Sequence, residues 1–186
     1  VKMKATGVVR IIDDLGRIVI PKEIRRTLRI GEGSPLEIFT EKDGEIVLKK
    51  YSPIGELSEF ASNYADTLSK TTGHIACITD KDTIIAVAGG LKKDLLEQNI
   101  SKELEEVIEN KEIYTSKDND ELAIPLSKNE NKERIFHAQV IYPIVSDGDP
   151  VGSVVLMSKE PNKKMTDTEL KVVQSAAGIL GSQLEI

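Results

Sequence analysis

The sequence offers few residues for cross-links or for an aromatic core. Of its 186 residues one is cysteine, none is tryptophan and only 4% are aromatic. A single thiol excludes an intrachain disulfide, as is usual in a reducing compartment, and the core must be aliphatic. No apolar run reaches the roughly 20 residues of a membrane-spanning helix, and no signal peptide is recognisable. We therefore expect a cytoplasmic protein.

What the sequence does contain is an uneven distribution of charge. The first thirty residues hold eight basic and three acidic residues, whereas the whole chain has a net charge of −6. Residues 51–186 contain 14 basic and 23 acidic residues. Because salt screens charges beyond about 10 Å, a local basic patch can attract a polyanion although the chain as a whole is acidic. This asymmetry predicts that the N-terminal end binds nucleic acid.

Residues 4–50 have the pattern of a small unit of strands and one short helix. β-branched runs predict four strands, and Asp43-Gly44 between the last two is a strong hairpin signal. Pro21 predicts the start of the helix, which Gly31 and Gly33 are expected to end. The predicted strands cover 5–12, 17–20, 36–40 and 45–49, with a turn at 14–17.

A unit of this size is too small to be stable on its own. At about 47 residues it has neither a disulfide nor a metal-binding motif to compensate for a small core. The strand predicted at 17–20 is apolar on both faces, so a second layer must cover it. We therefore predict an obligate dimer in which two chains build one core.

The rest of the chain is expected to form a second domain of the α+β class. Apolar residues recur at helical spacing from 54 to 71, after a break at Tyr51-Ser52-Pro53. This helix either pairs with the same helix of the dimer mate or belongs to the core of the second domain. We expect three segments: a DNA-binding domain at 1–52, a linker or dimerising helix at 53–72, and the second domain at 73–186. In that domain we predict strands at 74–79, 83–88, 112–116 and 121–126, a helix at 91–111, a charged loop at 127–133, a hairpin of 136–145 and 150–159, and a helix at 167–185 capped by Thr166 and Glu169.

The basic residues of the first predicted helix share one face. They fall at positions i, i+3, i+4 and i+7, away from the apolar side of the helix. A solvated charged surface is the alternative interpretation, but it does not explain why the face has nearly one sign. Arginine suits phosphate oxygens and guanine edges, so we predict a surface for duplex DNA. Its residues are Arg10, Arg17, Lys22, Arg25, Arg26 and Arg29.

Three runs in the N-terminal unit carry a resemblance to a known family. They are Lys4 to Arg10, Asp13 to Pro21 with the pattern Asp-Asp-Leu-Gly-Arg-Ile-Val-Ile-Pro, and Glu23 to Leu28, and the later segments Leu36 to Phe39 and Ile46 to Lys50 extend the match. The unit resembles the AbrB-type swapped-hairpin DNA-binding domain of bacterial transition-state regulators. The resemblance implies a domain-swapped homodimer of interleaved β-hairpins, whose arginines at positions 10, 17, 25 and 26 contact DNA. Ile11 is a departure, since some relatives carry lysine there.

The second half of the chain restricts the resemblance to a smaller group of proteins. With the segment Tyr51–Leu57 and the run Asp147–Ser153, the chain is similar to sporulation regulators of endospore-forming bacteria whose C-terminal part resembles a GAF domain, an α/β sandwich. The resemblance implies an AbrB-like domain followed by a GAF-like domain. It also implies control of forespore gene expression, by activation or repression, and a homotetramer formed through the C-terminal domains. Such domains often bind a small molecule, but the residues identify no ligand.

Support for enzymatic chemistry is weak. No catalytic triad, phosphate loop, dinucleotide fingerprint or metal motif is recognisable, so we expect no enzyme, cofactor or metal. We expect Cys77 to be a buried core thiol, His74 and His137 to be ordinary residues, and Gly89-Gly90 to be a plain turn rather than an anion site. Two alternative functions are kept. One is an antitoxin that binds DNA and a toxin protein, against which the patterned C-terminal half argues; the other is a small-molecule receptor that uses the basic unit for assembly.

Overall fold

Two units, Val1–Tyr51 and Ser52–Ile186, divide the chain. The computed structural model describes residues 6–42, 44–116, 123–129 and 136–184. Parts of several predictions therefore lie outside the described residues: the start of the first strand at residue 5, the hairpin residue 43, positions 130–133 of the charged loop, and the last residue of the final helix. Within the described ranges, no helix is both long and apolar enough to cross a membrane.

In its described residues, the N-terminal unit contains one helix and one hairpin. Helix α1 spans Lys22–Leu28 directly after Pro21, as predicted, because the fixed φ of proline and its missing N–H suit the start of a helix. Strands β1 (Leu36–Thr40) and β2 (Ile46–Lys50) pair antiparallel along their whole length. The predicted hairpin is thereby confirmed.

The end of helix α1 differs from the prediction. The helix stops before Arg29, which takes a left-handed backbone conformation with φ of 53°. The N–H of Ile30 then donates to the carbonyl of Arg25 at 2.8 Å, which satisfies one of the last carbonyls of the helix. The prediction that Gly31 and Gly33 end the helix is therefore wrong, because a non-glycine residue already makes the left-handed turn.

The two strands predicted before the helix do not form in the described residues. Residues 6–12 and 17–20 have no strand pairing, and their apolar side chains are exposed, Val9 to 84% and Ile11 to 87%. The turn predicted between them is present, with Gly16 at a φ of +75°. A strand forms only where a neighbouring backbone supplies donors and acceptors. Both strand predictions are wrong for the single chain, in which no described segment supplies them.

The C-terminal unit is a five-stranded antiparallel sheet with helices on both faces. Its elements are α2 (Pro53–Glu56), α3 (Ser58–Thr72), β3 (Ile75–Asp80), β4 (Ile84–Ala88), α4 (Lys92–Leu95), α5 (Lys102–Glu109), β5 (Tyr114–Ser116), β6 (Ala138–Ser146), β7 (Asp149–Ser158) and α6 (Asp167–Ser182). The strand order is β4-β3-β7-β6-β5. Helices α3 and α6 pack on one face, and α4 and α5 on the other. The mixed architecture confirms the predicted α+β class.

Each face of this sheet has its own apolar core. Side chains alternate along β3, so that Ala76 and Ile78 lie under α3 and α6, whereas Cys77 lies under α4 and α5. Small buried residues let α3 and α6 approach the sheet closely. They are Ala61, Ala65, Ala176, Ala177 and Gly181.

The helix predicted over 54–71 contributes to the first of these cores. It forms as α2 and α3, interrupted at Leu57, and ends at Gly73, which has a left-handed φ of +71°. Its inward side chains, from Ile54 to Leu68, are buried against the sheet. Of the two roles left open by the sequence, membership of the C-terminal core accounts for these residues. Pairing with a dimer mate stays a prediction.

The long helix predicted over 91–111 is instead two short helices joined by an extended segment. Between α4 and α5, Glu97 has a left-handed φ of 62°. The Ile84 N–H donates to the Gln98 carbonyl at 3.0 Å, and the Glu97 N–H donates to the Ile84 carbonyl at 2.9 Å. Strand β4 lies at the edge of the sheet, so its unpaired backbone groups recruit this segment and interrupt the helix.

The strand predicted at 121–126 does not form in its described part. Residues 121 and 122 lie outside the described ranges, and 123–126 are not in a strand. The Gln139 side chain instead donates to the Ile124 carbonyl at 3.1 Å and accepts from the Ile124 N–H at 3.0 Å. One buried amide thereby takes the place of a neighbouring strand.

The predicted second hairpin and final helix are confirmed. Strands β6 and β7 pair around a turn at Asp147-Gly148. Helix α6 follows Thr166, whose backbone N–H donates to the Glu169 carboxylate at 2.8 Å and whose hydroxyl oxygen accepts from the Thr168 N–H at 3.2 Å. This is the predicted capping box.

Gly152 leaves no room for a side chain between β7 and β3, so we expect Gly152→Ala to lower the free energy of unfolding by about 1–3 kcal/mol or more. A methyl group there would lie 1.9 Å from the Thr79 carbonyl oxygen, which is backbone. The matched control is Gly178→Ala on the exposed side of α6, where nothing lies within 4 Å; it should gain up to about 1 kcal/mol, since alanine favours helix. Urea unfolding followed by circular dichroism measures both. An unchanged midpoint for Gly152→Ala would contradict the close approach.

Candidate nucleic-acid interface

The loop that carries Arg17 is closed by Asp13. One carboxylate oxygen of Asp13, Oδ1, accepts from the backbone N–H of Leu15 at 3.0 Å and from that of Arg17 at 2.8 Å. The Asp13 N–H donates to the Arg17 carbonyl at 3.1 Å, and the Gly16 N–H donates to the Asp13 carbonyl at 3.0 Å. An aspartate turn of this kind fixes a loop without further packing. Loop 13–17 therefore presents Arg17 from a defined backbone.

The second carboxylate oxygen of Asp13 holds the Arg17 side chain. Nε of Arg17 donates to Oδ2 at 2.7 Å. Hydrogen bonds from the backbone and then the side chain of Arg17 lower the pKa of Asp13 below its usual value. The sequence prediction included Arg17 but missed Asp13. The available signal was an aspartate followed three residues later by glycine and four residues later by arginine.

Helix α1 presents three cations to solvent. Lys22, Arg25 and Arg26 are all exposed. Nε of Arg25 donates to the Ile20 carbonyl at 3.2 Å, which ties this side chain to the segment before the helix. The three residues share one face, as the helical spacing predicts.

The two remaining predicted residues differ from these. Arg10 lies in the exposed segment before the loop, and its Nη1 donates to the Val9 carbonyl at 3.1 Å. Arg29 is half-buried, and its left-handed backbone leaves the helix. Helical spacing therefore does not place Arg29 on the face of the other three, and its contact with DNA stays a prediction.

Five of the six predicted side chains are exposed. Among the described residues, Arg17 alone of these five forms an ion pair. The other four positive charges are not balanced by a close carboxylate in the described part of the unit. An arrangement of this kind attracts a polyphosphate and releases its counterions on binding.

Candidate residues of the C-terminal unit take structural positions. Cys77 is fully buried in the core under α4 and α5, as predicted. Gly89 lies where a methyl group would be 2.3 Å from the Ser69 hydroxyl oxygen, and helix α4 after it has only four residues. The backbone N–H of His137 donates to the Ser158 carbonyl at 2.9 Å. Within the described ranges, no group of three or more His, Cys, Asp or Glu residues could hold a metal ion.

His74 is a buried histidine at the junction of α3 and β3. Its Nε2 lies 3.7 Å from Oε1 of Glu169. Its Nδ1 has no hydrogen-bond partner among the described residues. Burial lowers the pKa of His74 below its usual value, and the charge of Glu169 opposes that shift. The neutral imidazole is therefore favoured in the folded protein.

The face of the sheet under α4 and α5 is filled with apolar side chains. They include Ile84, Leu104, Ile108, Ile141 and Met157, each exposed by 1% or less. A small-molecule ligand for this domain stays a prediction.

Two family models match the chain. The model of the stage V sporulation protein T C-terminal domain, a transcription factor, matches residues 56–185, and the model of the antidote-toxin recognition protein MazE, a bacterial antitoxin, matches residues 9–56. Stage V sporulation protein T of Bacillus subtilis is 49% identical over 183 residues, which cover 98% of this chain and 99% of that protein. The transition state regulatory protein AbrB of the same organism is 41% identical over 103 residues, which cover 54% of this chain and 88% of that protein.

Solved GAF domains share the fold of the C-terminal unit. The GAF domain from Acinetobacter phosphoenolpyruvate-protein phosphotransferase is similar with a TM-score of 0.57 and 11% sequence identity. The similarity covers 73% of this chain and 84% of that one. At this identity the likeness shows the fold alone, and it confirms the GAF-like architecture.

We expect the free energy of unfolding to decrease as the pH falls below about 6.5, the usual pKa of histidine. Because burial lowers the pKa of His74 in the folded state, the unfolded chain binds a proton first, and stability is lost as the pH falls through the folded pKa. Glu169, whose pKa lies below its usual value, stays ionised in this range. Urea unfolding between about pH 7 and 5 should give a flatter profile for His74→Gln than for the wild type or for His137→Gln. Parallel profiles for all three would contradict the prediction.

Proposed function

The chain belongs to the stage V sporulation protein T family and is a transcription regulator of sporulation; from this premise we propose that it binds duplex DNA as a homodimer through its basic N-terminal unit. The observation that carries the proposal is the group of exposed cations on α1 and the segment before it, where positive side chains outnumber the carboxylates. The proposed contact residues are Arg10, Arg17, Lys22, Arg25, Arg26 and Arg29.

A second copy supplies what the N-terminal unit lacks. Residues 6–12 and 17–20 have no strand pairing and expose large apolar side chains such as Ile11 and Val19. The hairpin of β1 and β2 also exposes Ile38 and Ile46. Pairing these segments with those of a second chain would satisfy their backbone groups and bury the apolar side chains. The interleaved dimer implied by the AbrB resemblance has this arrangement, and it doubles the basic surface.

The proposed mechanism is electrostatic and geometric. Phosphate contacts set the position of the dimer on the duplex, and arginines at base edges select the sequence. The described unit contains only one helix, so the surface is not a helix-turn-helix, and DNA shape and deformability contribute to selection.

The alternative functions have less support. The antitoxin model matches only residues 9–56, whereas residues 56–185 match a transcription factor family. If the protein were a receptor that uses the basic unit only for assembly, the exposed positive face of α1 would have no role. The affinity of an Arg25→Ala/Arg26→Ala variant for DNA separates that receptor from a DNA-binding regulator.

We expect Arg25→Ala/Arg26→Ala to weaken DNA binding by roughly tenfold or more, because the variant cannot form charge-assisted hydrogen bonds to phosphate or base at these positions. Fluorescence anisotropy on a duplex that the wild type selects from a random pool, repeated across a salt series, measures the affinity. The salt slope should decrease by about one unit for each phosphate that the variant no longer neutralises.

The matched control for this measurement is Lys92→Ala/Lys93→Ala, which removes the same charge from exposed residues of α4 in the other unit. It should bind like the wild type. Binding that is absent in the wild type, or equal in both double variants, would overturn the DNA surface. Gel filtration and circular dichroism establish that the variants are folded and equally assembled.

We also propose that two dimers associate through their C-terminal units into a tetramer. On the outer side of α3, Phe60 is 39% exposed and stacks on Tyr64 with ring centroids 5.8 Å apart. Tyr64 is partly buried against the core, so the exposed member of the pair is Phe60, and an aromatic side chain exposed on a helix is typical of an interface. The proposal also draws on the sporulation regulators that the chain resembles.

Sedimentation equilibrium should give the mass of four chains for the wild type and of two for Phe60→Asp, because a charge would be buried between the α3 helices. Ile113→Asp, which changes another exposed apolar residue in the same way, should still give the mass of four chains. A dimeric wild type, or a tetrameric Phe60→Asp variant, would contradict this assembly.

A further inference from the structure

An ion pair lies within the proposed DNA surface, where a carboxylate is unfavourable. Asp13 Oδ2 accepts from Nε of Arg17 at 2.7 Å, and the Arg17 side chain is 68% exposed. A negative charge at this point repels the phosphates that the surrounding cations attract. An exposed pair of this kind contributes little to stability. The carboxylate therefore needs an explanation other than affinity or folding.

Closure of the loop does not require the second carboxylate oxygen. Both backbone hydrogen bonds that fix residues 13–17 through the side chain end on Oδ1, from Leu15 and from Arg17. An asparagine side chain could accept them equally well. What aspartate adds is Oδ2, whose charge is directed at the Arg17 guanidinium.

The bond to Nε determines which part of the guanidinium is presented. Nη1 and Nη2 of Arg17 donate no hydrogen bond to any residue that the structure describes, so the two terminal nitrogens are available together. This pair of nitrogens contacts O6 and N7 of a guanine in the bidentate mode. A flexible arginine must be ordered when it binds, whereas one that is held at Nε is already ordered.

The other arginines of the surface are held differently. Arg25 is also held at Nε, but by the uncharged Ile20 carbonyl. Nη1 of Arg10 donates to the Val9 carbonyl, so one of its two terminal nitrogens is already in use. Of the described exposed cations on this surface, Arg17 alone combines a held Nε with a charged partner.

We propose that Arg17 reads a guanine edge in the major groove and that Asp13 is its positioning residue, which exchanges affinity for selectivity. This inference rests on the proposed DNA binding and assigns base recognition within that surface. Removal of the Asp13 charge should raise affinity for arbitrary DNA while lowering the preference for the selected sequence.

The test compares Asp13→Asn with Asp14→Asn on two duplexes, the one that the wild type selects from a random pool and a scrambled duplex of equal composition. Both substitutions remove one negative charge. Asp14 is exposed and makes no hydrogen bond or ion pair with any described residue, so Asp14→Asn should strengthen binding to both duplexes equally. Asp13→Asn keeps the Oδ1 acceptor and should strengthen binding to the scrambled duplex similarly. Its ratio of selected to scrambled affinity should fall by roughly tenfold, since a bidentate guanine contact discriminates by about that factor or more.

Two further measurements isolate base recognition from a structural role. Arg17→Lys keeps the charge but removes the fork, so the affinity ratio should fall while binding to the scrambled duplex stays near that of the wild type. Replacing guanines of the selected duplex by 7-deazaguanine removes the N7 acceptor. At the guanine that Arg17 contacts, this replacement should weaken DNA binding by the wild type and should weaken binding by Arg17→Lys much less.

The outcomes separate this inference from the proposed function. If the wild type selects no sequence and does not bind DNA, the proposed function fails. If the wild type binds selectively, but the ratio of selected to scrambled affinity is the same for Asp13→Asn as for Asp14→Asn, the positioning role of Asp13 is overturned. If Arg17→Lys keeps the wild-type ratio and the 7-deazaguanine penalty, Arg17 does not read guanine. Circular dichroism and gel filtration of each variant exclude misfolding, and the Arg17→Lys result decides the case should Asp13→Asn fail to fold.

Discussion

Backbone N–H and C=O groups need partners, and this requirement decides where strands form in the chain. In the C-terminal unit the edge strand β4 takes its missing partners from residues 97–98, and the Gln139 side chain supplies those of Ile124. In the N-terminal unit the described residues 6–12 have no such neighbour in a single copy and form no strand. The C-terminal unit satisfies this requirement with its own residues. In the N-terminal unit the same requirement supports the proposed dimer.

The sequence was most informative where local chemistry is sufficient to define the structure. Pro21 starts α1, and Thr166 with Glu169 caps α6, because each acts through groups within a few residues of itself. Hairpin signals at the tight turns are local in the same sense. The amphipathic helix after Pro53 was predicted too, but the periodicity did not decide what it packs against.

The predictions were wrong where distant residues compete with local preference. Residues 91–111 have a helical pattern, yet the edge of β4 draws Glu97 and Gln98 away from it. The strands before α1 were predicted from composition, which does not reveal that their partners are missing in a single chain. At the candidate site the arginines were found by their charge. Asp13 was missed because its effect is visible only as hydrogen bonds to Arg17.

The acidic C-terminal unit and the Asp13 carboxylate both add negative charge to a chain whose proposed DNA surface is basic. A DNA-binding protein with positive charge everywhere would bind all sequences, since phosphate attraction carries no sequence information. Residues 51–186 hold 23 acidic and 14 basic residues, so this unit repels DNA that the basic unit does not hold. Screening confines that repulsion to short range. Within the basic unit, the role proposed for Asp13 has the same direction. Its carboxylate holds the guanidinium of Arg17 and would lower the nonspecific attraction of phosphate at that point.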